Sequence, residues 1–278
     1  MRLCRYGAPG EERAGLVDAA GGLRSLAGVI GDVSPEVLAP ARLAALADID
    51  LRTLPPVEAG VRLGVPVAGI GKYVCIGLNY RDHADEAGLP VPEEPIVFLK
   101  AITALSGPDD PIIPPIGATQ LDWEAELAVI IGTCAKNVTV GEALDHVAGY
   151  CIANDVSERA FQMQSSQWDK GKGCDTFGPL GPWLVTRDEV PDPQDLAIWL
   201  EVNGRRMQSG NTRTMIFSVA EIVAYVSHYM TLMPGDVIAT GTPPGVGMGM
   251  RPEPVYLQSG DVVELGIDGL GRQRQCVA

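Results

Sequence analysis

The chain has 278 residues, a formal charge of −14 at pH 7 and a pI near 4.6, and 46% of its residues are hydrophobic. This length and apolar content allow one large or two unequal domains with a substantial core. The negative charge argues against nucleic acid and anionic membranes as partners, because both repel an acidic protein. An anionic substrate would need a local source of positive charge.

The start of the chain carries no apolar signal region. Nowhere does the sequence approach the roughly 18 apolar residues that a membrane-spanning helix needs. Its six cysteines lack the short spacings of a zinc site. We therefore expect a soluble cytoplasmic protein with reduced cysteines.

Residues 1–67 are predicted to form a small N-terminal α+β domain. An Ala/Leu-rich segment begins at Ser34-Pro35, where proline suits the first turn of a helix. Pro55-Pro56 and the glycines that follow indicate a boundary. Residues 68–278 are the second predicted domain.

Short β-type segments follow one another through the second domain, separated by glycine and proline. They lie at residues 73–77, 95–99, 126–131, 181–185, 197–202, 237–239 and 262–267. One clear helix begins at Ser218, which forms a capping box with Glu221. The pattern predicts an α+β protein, mainly β, built on a mixed β-sheet roll.

Residues 79–88 predict a short helix with Asn79 as its N-cap and Gly88 as its stop. His83 and Glu86 are three positions apart and share one helix face. A carboxylate beside an imidazole fixes its tautomer and raises its basicity, which suits a general base that activates water. By spacing alone, a solvated helix with an incidental His–Glu pair also explains the pattern and is the commoner case.

Residues 121–132 alternate between apolar and other side chains, as in a half-buried strand that carries Asp122, Glu124 and Glu126 on its second face. The two glutamates are about 7 Å apart on such a strand. A third acid at about 4 Å would add roughly 4 kcal/mol of repulsion per pair at an effective dielectric near 20. A divalent cation would remove that cost. Any strand with one solvated face shows the same alternation, so the pattern by itself does not require a metal.

The pair Asn154-Asp155 follows an apolar run at residues 147–153 that predicts a buried strand. This position suits a turn as well as a ligand. Three carboxylate ligands, without thiolate or imidazole, would suit Mg²⁺ or Mn²⁺ rather than Zn²⁺.

Beyond Asp155, Arg159 and Gln162 are three positions apart, and they share one face if residues 157–164 are helical. They are candidate substrate contacts, with ordinary helix-surface polarity as the alternative. His146 and His228 lie in helical patterns without paired acids nearby and are predicted to be structural.

Glycines 245, 247 and 249 superficially suggest a nucleotide-binding loop. They lack the GxGxxG spacing, and neither a helix start nor a ribose-binding acid follows them. We therefore reject a nucleotide site there.

Five motifs occur in one order and together resemble the fumarylacetoacetate hydrolase family, in particular its bacterial acylpyruvase-like branch. They are residues 77–86, Glu124-Ala-Glu126, residues 154–159, residues 170–182 and residues 239–247. The resemblance covers roughly residues 68–275. Within it, residues 208–217 look most like the hydrolases of 2,4-diketo-3-deoxy sugar acids.

The resemblance implies the family fold, a homodimer and a metal triad at Glu124, Glu126 and Asp155 that holds Mg²⁺ or Mn²⁺. It also implies that His83 is the base, with Glu86 as its acidic partner. Three further features match the family: the active-site lysine at Lys172, a position near the substrate carboxylate at Thr242, and a mobile lid at residues 82–95. The family's proline after Lys100 is replaced here by Ala101, and Lys100 is a lesser candidate contact.

The implied activity is hydrolysis of a carbon–carbon bond in a small-molecule 2,4-diketo acid, which releases pyruvate and a second carboxylic acid. Decarboxylation of oxaloacetate, hydratase chemistry and isomerisation on the same scaffold remain open. A protein that binds a 2-oxo acid without turnover is the alternative from another class.

Overall fold

The computed structural model describes residues 1–278, with the side chain of Ala87 excepted. Strands and helices are numbered in chain order. The chain has an α+β fold that is mainly β, as the sequence predicts. Among the described residues, no helix combines the length and the apolar character needed to cross a bilayer.

The largest element is a ten-stranded mixed sheet. Its spatial order is β3 (Leu23–Ser25), β2 (Arg13–Val17), β1 (Arg2–Tyr6), β11 (Gly178–Thr186), β9 (Val147–Asn154), β8 (Ala125–Ile131), β14 (Val237–Ala239), β4 (Tyr73–Gly77) and β5 (Ile96–Lys100), with β6 (Leu105–Ser106) beside β11. The pairs β4–β14 and β6–β11 are parallel, and β8 pairs antiparallel with both β9 and β14.

A four-stranded antiparallel sheet shares a core with the large sheet. Its order is β13 (Arg205–Asn211), β12 (Ala197–Val202), β15 (Val262–Ile267) and β16 (Gly271–Cys276). A two-stranded ribbon is formed by β7 (Leu121–Asp122) and β10 (Ser157–Glu158). This ribbon joins the segments that flank the two predicted acidic motifs.

The helices are short apart from one. They are α1 (Pro40–Ala47), α2 (Arg81–Ala87), α3 (Val140–Ala143), α4 (Arg159–Gln162), α5 (Asp169–Lys172) and α6 (Val219–Tyr229). The capping box at the start of α6 is confirmed, since Ser218 Oγ accepts from Glu221 N–H and Glu221 Oε2 accepts from Ser218 N–H. Near Ser34 the chain first makes a 3₁₀ turn at Pro35–Leu38, and α1 begins only at Pro40.

Strand β8 is buried on both faces, so the prediction of a half-buried strand is wrong. Leu127 and Val129 pack in the core shared with the four-stranded sheet, whereas Ala128 and Ile130 pack against N-terminal residues such as Leu38. Each buried Leu, Ile or Val stabilises the fold by about 1.5–3 kcal/mol. Acids at the start of this strand therefore have no solvated face, and their charge must be compensated inside the protein.

The predicted N-cap at Asn79 is also wrong. Helix α2 begins at Arg81 with Tyr80 as its N-cap, and Asn79 is fully buried. The Asn79 side chain instead donates to Phe217 O and Thr240 O and accepts from Phe217 N–H, at 2.8–3.1 Å. These bonds fasten the start of the helix to the rest of the domain. Gly88 ends the helix in the left-handed region, with φ of 66°, as predicted.

The N-terminal residues share the large sheet with the rest of the chain. Strand β1 pairs with β11 through Arg2↔Val185 and Leu3↔Leu184. The boundary after residue 67 stays a prediction.

Candidate active site

A cavity of about 460 Å³ opens beside the N-terminal end of β8. Its lining includes eight of the nine residues that the sequence singles out: His83, Glu86, Glu124, Glu126, Arg159, Gln162, Lys172 and Thr242. The ninth, Asp155, is fully buried and bonded to Lys172. The fold thus gathers side chains from distant parts of the chain around one space.

A cleft of similar volume, about 480 Å³, lies in the N-terminal region among residues 29–49. One of its two acids, Asp32, is paired with Arg5 at 2.7 Å. We place the site in the first cavity, because that is where the buried titratable groups converge.

The three acids meet because β8 and β9 are antiparallel neighbours, with Ala125 opposite Asn154 and Glu126 opposite Ala153. One carboxylate oxygen from each of Glu124, Glu126 and Asp155 lies within 4.8 Å of the others. The backbone fixes this arrangement, since Asp155 N–H donates to Glu124 O at 2.9 Å.

Lys172 lies between two of these acids. Its Nζ donates to Glu124 Oε2 at 2.9 Å and to Asp155 Oδ2 at 2.7 Å. Burial opposes the charge of the ammonium, but the two carboxylates outweigh it and raise the pKa of Lys172. Lys172 is therefore a buried, charged ammonium.

Arg159 holds the opposite side of Glu124. Its guanidinium donates to Glu124 Oε1 at 2.6 Å, to Asp122 Oδ2 at 2.9 Å and to Gln162 Oε1 at 3.0 Å. Burial disfavours ionisation of Glu124, yet Lys172 and Arg159 together hold its pKa below the ordinary range. Only Arg159–Gln162 is helical, because Ser157–Glu158 belongs to the ribbon with β7. Arg159 thus lines the cavity as part of an ion-pair network.

Lys100 has a larger part in the site than its sequence position indicates. It ends β5, its side chain is fully buried, and its Nζ donates to Asp155 Oδ1 and, at 3.0 Å, to Val156 O. The sequence feature that indicates this part is a lysine at the end of an apolar strand, where an unpaired charge is costly.

Glu126 has a different environment from its two neighbours. Its Oε2 accepts from Gly241 N–H at 2.8 Å. Burial, followed by the negative charges of Asp155 and Glu124, raises the pKa of Glu126 well above its usual range. A nearby cation would relieve both the repulsion and the desolvation.

The cluster fits a divalent cation. It contains four acidic and three basic side chains: Asp122, Glu124, Glu126, Asp155, Lys100, Arg159 and Lys172. With every group ionised, its net charge is −1, and a dication would change it to +1. This net positive charge would match a substrate that carries one carboxylate. The carboxylate oxygens of the triad are hard ligands, which suit a cation such as Mg²⁺ or Mn²⁺.

His83 and Glu86 form a pair at the cavity wall, with Nδ1 to Oε2 at 3.1 Å. Glu86 also accepts from Gly245 N–H at 3.0 and 3.2 Å. Partial burial works against ionisation of Glu86, but the bonds from His83 and Gly245 lower its pKa. The carboxylate is therefore ionised near neutral pH and can only accept, so the bonded Nδ1 carries the imidazole proton.

The glycine segment 245–249 serves the site through its backbone. Gly245 donates to Glu86, whereas Gly247 N–H and Met248 N–H donate to Asp122 at 2.6 and 3.0 Å. A Cβ on Gly247 would lie 2.0 Å from Val255 O and 2.7 Å from Asp122 Oδ1, so only glycine fits. Asp122, whose role the sequence did not reveal, links this segment to Arg159.

Thr242 lines the cavity but uses its hydroxyl within the protein. Oγ1 donates to Ala125 O at 2.8 Å and accepts from Gln208 Nε2 at 2.8 Å. A substrate carboxylate would have to compete for the hydroxyl proton. The two histidines predicted to be structural lie elsewhere: His146 bonds Thr133 and His228 bonds Ala224 O.

A known protein family and several solved structures are similar to this chain. The family described as fumarylacetoacetate (FAA) hydrolase C-terminal matches residues 72–278. The structure of fumarylacetoacetate hydrolase from psychrophilic Exiguobacterium antarcticum is 40% identical, with a TM-score of 0.88 over 100% of this chain and 99% of that chain.

Two other solved structures carry different activities in their names. The maleylpyruvate hydrolase from Sphingobium sp. SYK-6 is 30% identical, with a TM-score of 0.84 over 100% of this chain and 99% of that chain. The 5-carboxymethyl-2-hydroxymuconate delta-isomerase from Mycobacterium smegmatis is 34% identical, with a TM-score of 0.79 over 100% and 98%. Since the family match spans most of its length, the chain belongs to the fumarylacetoacetate hydrolase family.

Proposed function

We propose that the protein hydrolyses a carbon–carbon bond of a 2,4-diketo acid and releases pyruvate and a second carboxylic acid. The observation that carries the proposal is one cavity lined by both a His–carboxylate pair and two glutamates of a buried carboxylate cluster. The first can activate water, and the second can hold a cation beside the 2-oxo acid end of a substrate.

Glu124, Glu126 and Asp155 would hold the divalent cation, which we propose is Mg²⁺ or Mn²⁺. When bound, it would act as a Lewis acid that stabilises negative charge on the 2-oxo acid. The charge count of the cluster supports a monoanionic substrate group at this end. Arg159 and Gln162 lie in the lining and would orient that group.

His83 is the proposed general base. Because Nδ1 carries the proton donated to Glu86, Nε2 is left unprotonated and free to take a proton from water. The hydroxide that forms adds to the C4 carbonyl. The C3–C4 bond then breaks, its electron pair passes to C3 as the enolate of pyruvate, and the proton on His83 returns to C3.

Lys172 supplies fixed positive charge inside the cavity. Its ammonium is buried and oriented by Glu124 and Asp155, so it needs little reorganisation to stabilise developing negative charge. That charge lies either on the tetrahedral intermediate or on the enolate.

Isomerisation is the second candidate, supported by the similarity to the M. smegmatis isomerase. It would use His83 to move a proton between carbons and would consume no water. We favour hydrolysis because the Glu86–His83 pair leaves Nε2 unprotonated, as a general base that activates water requires.

The test is release of pyruvate from 2,4-diketo-3-deoxy-L-rhamnonate or -fuconate and from acetylpyruvate, with Mg²⁺ and again with chelator. In H₂¹⁸O, hydrolysis places one ¹⁸O in the second carboxylic acid. We expect metal-dependent pyruvate, about a 10²- to 10⁴-fold loss of kcat in His83→Gln, and little change in the control His146→Gln. Product with the mass of the substrate would indicate isomerisation, and an unchanged kcat in His83→Gln would refute the role of the base.

A further inference from the structure

The cavity has an apolar mouth, formed by Leu89, Ile96, Met163, Trp168 and Met248. Four of these side chains are exposed, with fractions of 53% for Leu89, 37% for Ile96, 68% for Met163 and 40% for Met248. Exposed apolar groups that surround one opening are typical of a surface that binds a ligand.

The mouth is assembled from separate segments of the chain. Leu89 follows α2, Ile96 begins β5, Met163 follows α4, Trp168 precedes α5, and Met248 lies in the glycine segment. Apolar periodicity within one strand or helix cannot explain their convergence. Deeper in the cavity, Phe98 and Val246 continue the apolar wall toward the charged cluster.

Several polar atoms of the lining are already bonded within the protein. Gln162 Oε1 accepts from Arg159, the Thr242 hydroxyl bonds Ala125 and Gln208, and Glu86 accepts from His83 and Gly245. A substrate tail with several hydroxyls would lose water there and find few partners, which is costly for each buried hydroxyl. Arg251 at the rim donates to the carbonyls of Gly249 and Met250.

We infer that the substrate's acyl group beyond C4 is an alkyl or aryl chain rather than a polyol. This inference rests on the proposed function, because it assumes that the 2-oxo acid end occupies the charged cluster. It also narrows the substrate class, since it disfavours the sugar acids that residues 208–217 suggest.

The activity test is a series of straight-chain acylpyruvates: acetyl-, butanoyl- and hexanoylpyruvate. Each methylene that enters the mouth should raise kcat/KM about fourfold. A tail of equal length that carries hydroxyls should lose at least about tenfold. A flat series, or a faster hydroxylated tail, would overturn the inference. A clear preference for a tail ending in carboxylate would also overturn it and would assign selectivity to Arg251.

Binding is measured separately with simple 2-oxo acids of four to eight carbons, which lack the C4 carbonyl and cannot be hydrolysed. With Mg²⁺ present, their Kd should fall about fourfold per added methylene. If no acylpyruvate yields pyruvate but this series holds, the proposed function fails and the apolar mouth stands. If pyruvate is released but neither series rises, only the inference fails.

Variants of the mouth residues test whether the mouth causes the rise of kcat/KM with acyl chain length. Met163→Thr and Met248→Thr remove apolar surface from exposed positions, so both proteins should fold. Each should lower the ratio of the hexanoyl to the acetyl kcat/KM by about fourfold or more. The control Ile113→Thr changes a residue outside the lining whose exposure, 52%, lies between those of the two methionines, and it should keep the wild-type ratio. An unchanged ratio in both methionine variants would refute the assignment.

Discussion

Replacement of the buried ammonium tests the electrostatics of the site without any assumption about the reaction. Lys172→Met keeps an unbranched side chain of similar length but removes the positive charge between Glu124 and Asp155. Lys170 lies in the same helix and is exposed, so Lys170→Met is the matched control.

The expected loss of stability in Lys172→Met is the cost of leaving the buried Glu124 and Asp155 carboxylates without this ammonium. Removal of one member of a buried ion pair typically costs about 3–5 kcal/mol. Protonation of one orphaned carboxylate limits this cost. With an ordinary pKa near 4, that protonation costs about 4 kcal/mol at pH 7, since each pKa unit corresponds to about 1.4 kcal/mol. We therefore expect Lys172→Met to lose about 4 kcal/mol and roughly 10 °C in Tm.

The pH dependence has a defined sign. In the wild type, Lys172 and Arg159 outweigh the effect of burial and hold the pKa of Glu124 below its ordinary 4.5. That stabilisation is present above about pH 4.5 and is lost as the pH falls through the folded-state pKa. At pH 5 this Glu124 stabilisation is still present in the wild type, whereas the orphaned carboxylate of the variant takes up a proton at a cost of only about 1 kcal/mol. The difference between wild type and variant should therefore shrink to about 1 kcal/mol at pH 5.

The assay is denaturant unfolding at pH 7 and pH 5 with chelator present, followed by thermal unfolding with and without Mg²⁺. If the triad binds the cation, Mg²⁺ should stabilise Lys172→Met more than wild type, because it replaces the lost positive charge. A loss at pH 7 no larger than that of Lys170→Met would show that the ammonium does not compensate these acids. A loss that grows toward pH 5 would contradict the assigned direction.

Three further results are expected. Glu86→Gln should lower kcat for pyruvate release about 10²-fold with little change in KM, because a neutral amide no longer fixes the His83 tautomer. A raised KM with an unchanged kcat would point to a binding role instead. Asp122→Asn should cost about 3 kcal/mol in denaturant unfolding, since the buried Arg159 guanidinium loses one of its two charged partners and two backbone donors lose a carboxylate; wild-type stability would refute the link. A thiol reagent should label exposed Cys134 in the native protein but not Cys4, where burial raises the pKa to about 12; labelling of Cys4 before unfolding would contradict its burial.

The sequence by itself determined the features whose members are close neighbours in the chain. Glu124 and Glu126 are two apart at the start of a strand, and His83 and Glu86 are three apart on a helix, so periodicity alone places each pair together. Four predicted strands have the observed bounds, because their apolar β-branched residues and flanking glycines mark them locally: Tyr73–Gly77, Ala197–Val202, Val237–Ala239 and Val262–Ile267.

Other strands exist only through their partners. The sequences of β13 and β16 are RRMQSGN and GRQRQC, which lack apolar alternation. They form the two edges of the four-stranded sheet, where β13 pairs with β12 and β16 pairs with β15. Local propensity cannot reveal such strands, because the neighbouring strand supplies the hydrogen bonds that define them.

Only the tertiary structure decided what each charge in the site does. Arg159, predicted as a substrate contact, is bonded to Asp122 across 37 positions, and the undervalued Lys100 is bonded to Asp155 across 55. Burial of β8 on both faces makes such pairing necessary, and the β8–β9 register brings Asp155 to the glutamates. The physical reason is that the effect of a charge depends on the opposite charges within a few ångströms, and strand pairing rather than sequence spacing sets those distances.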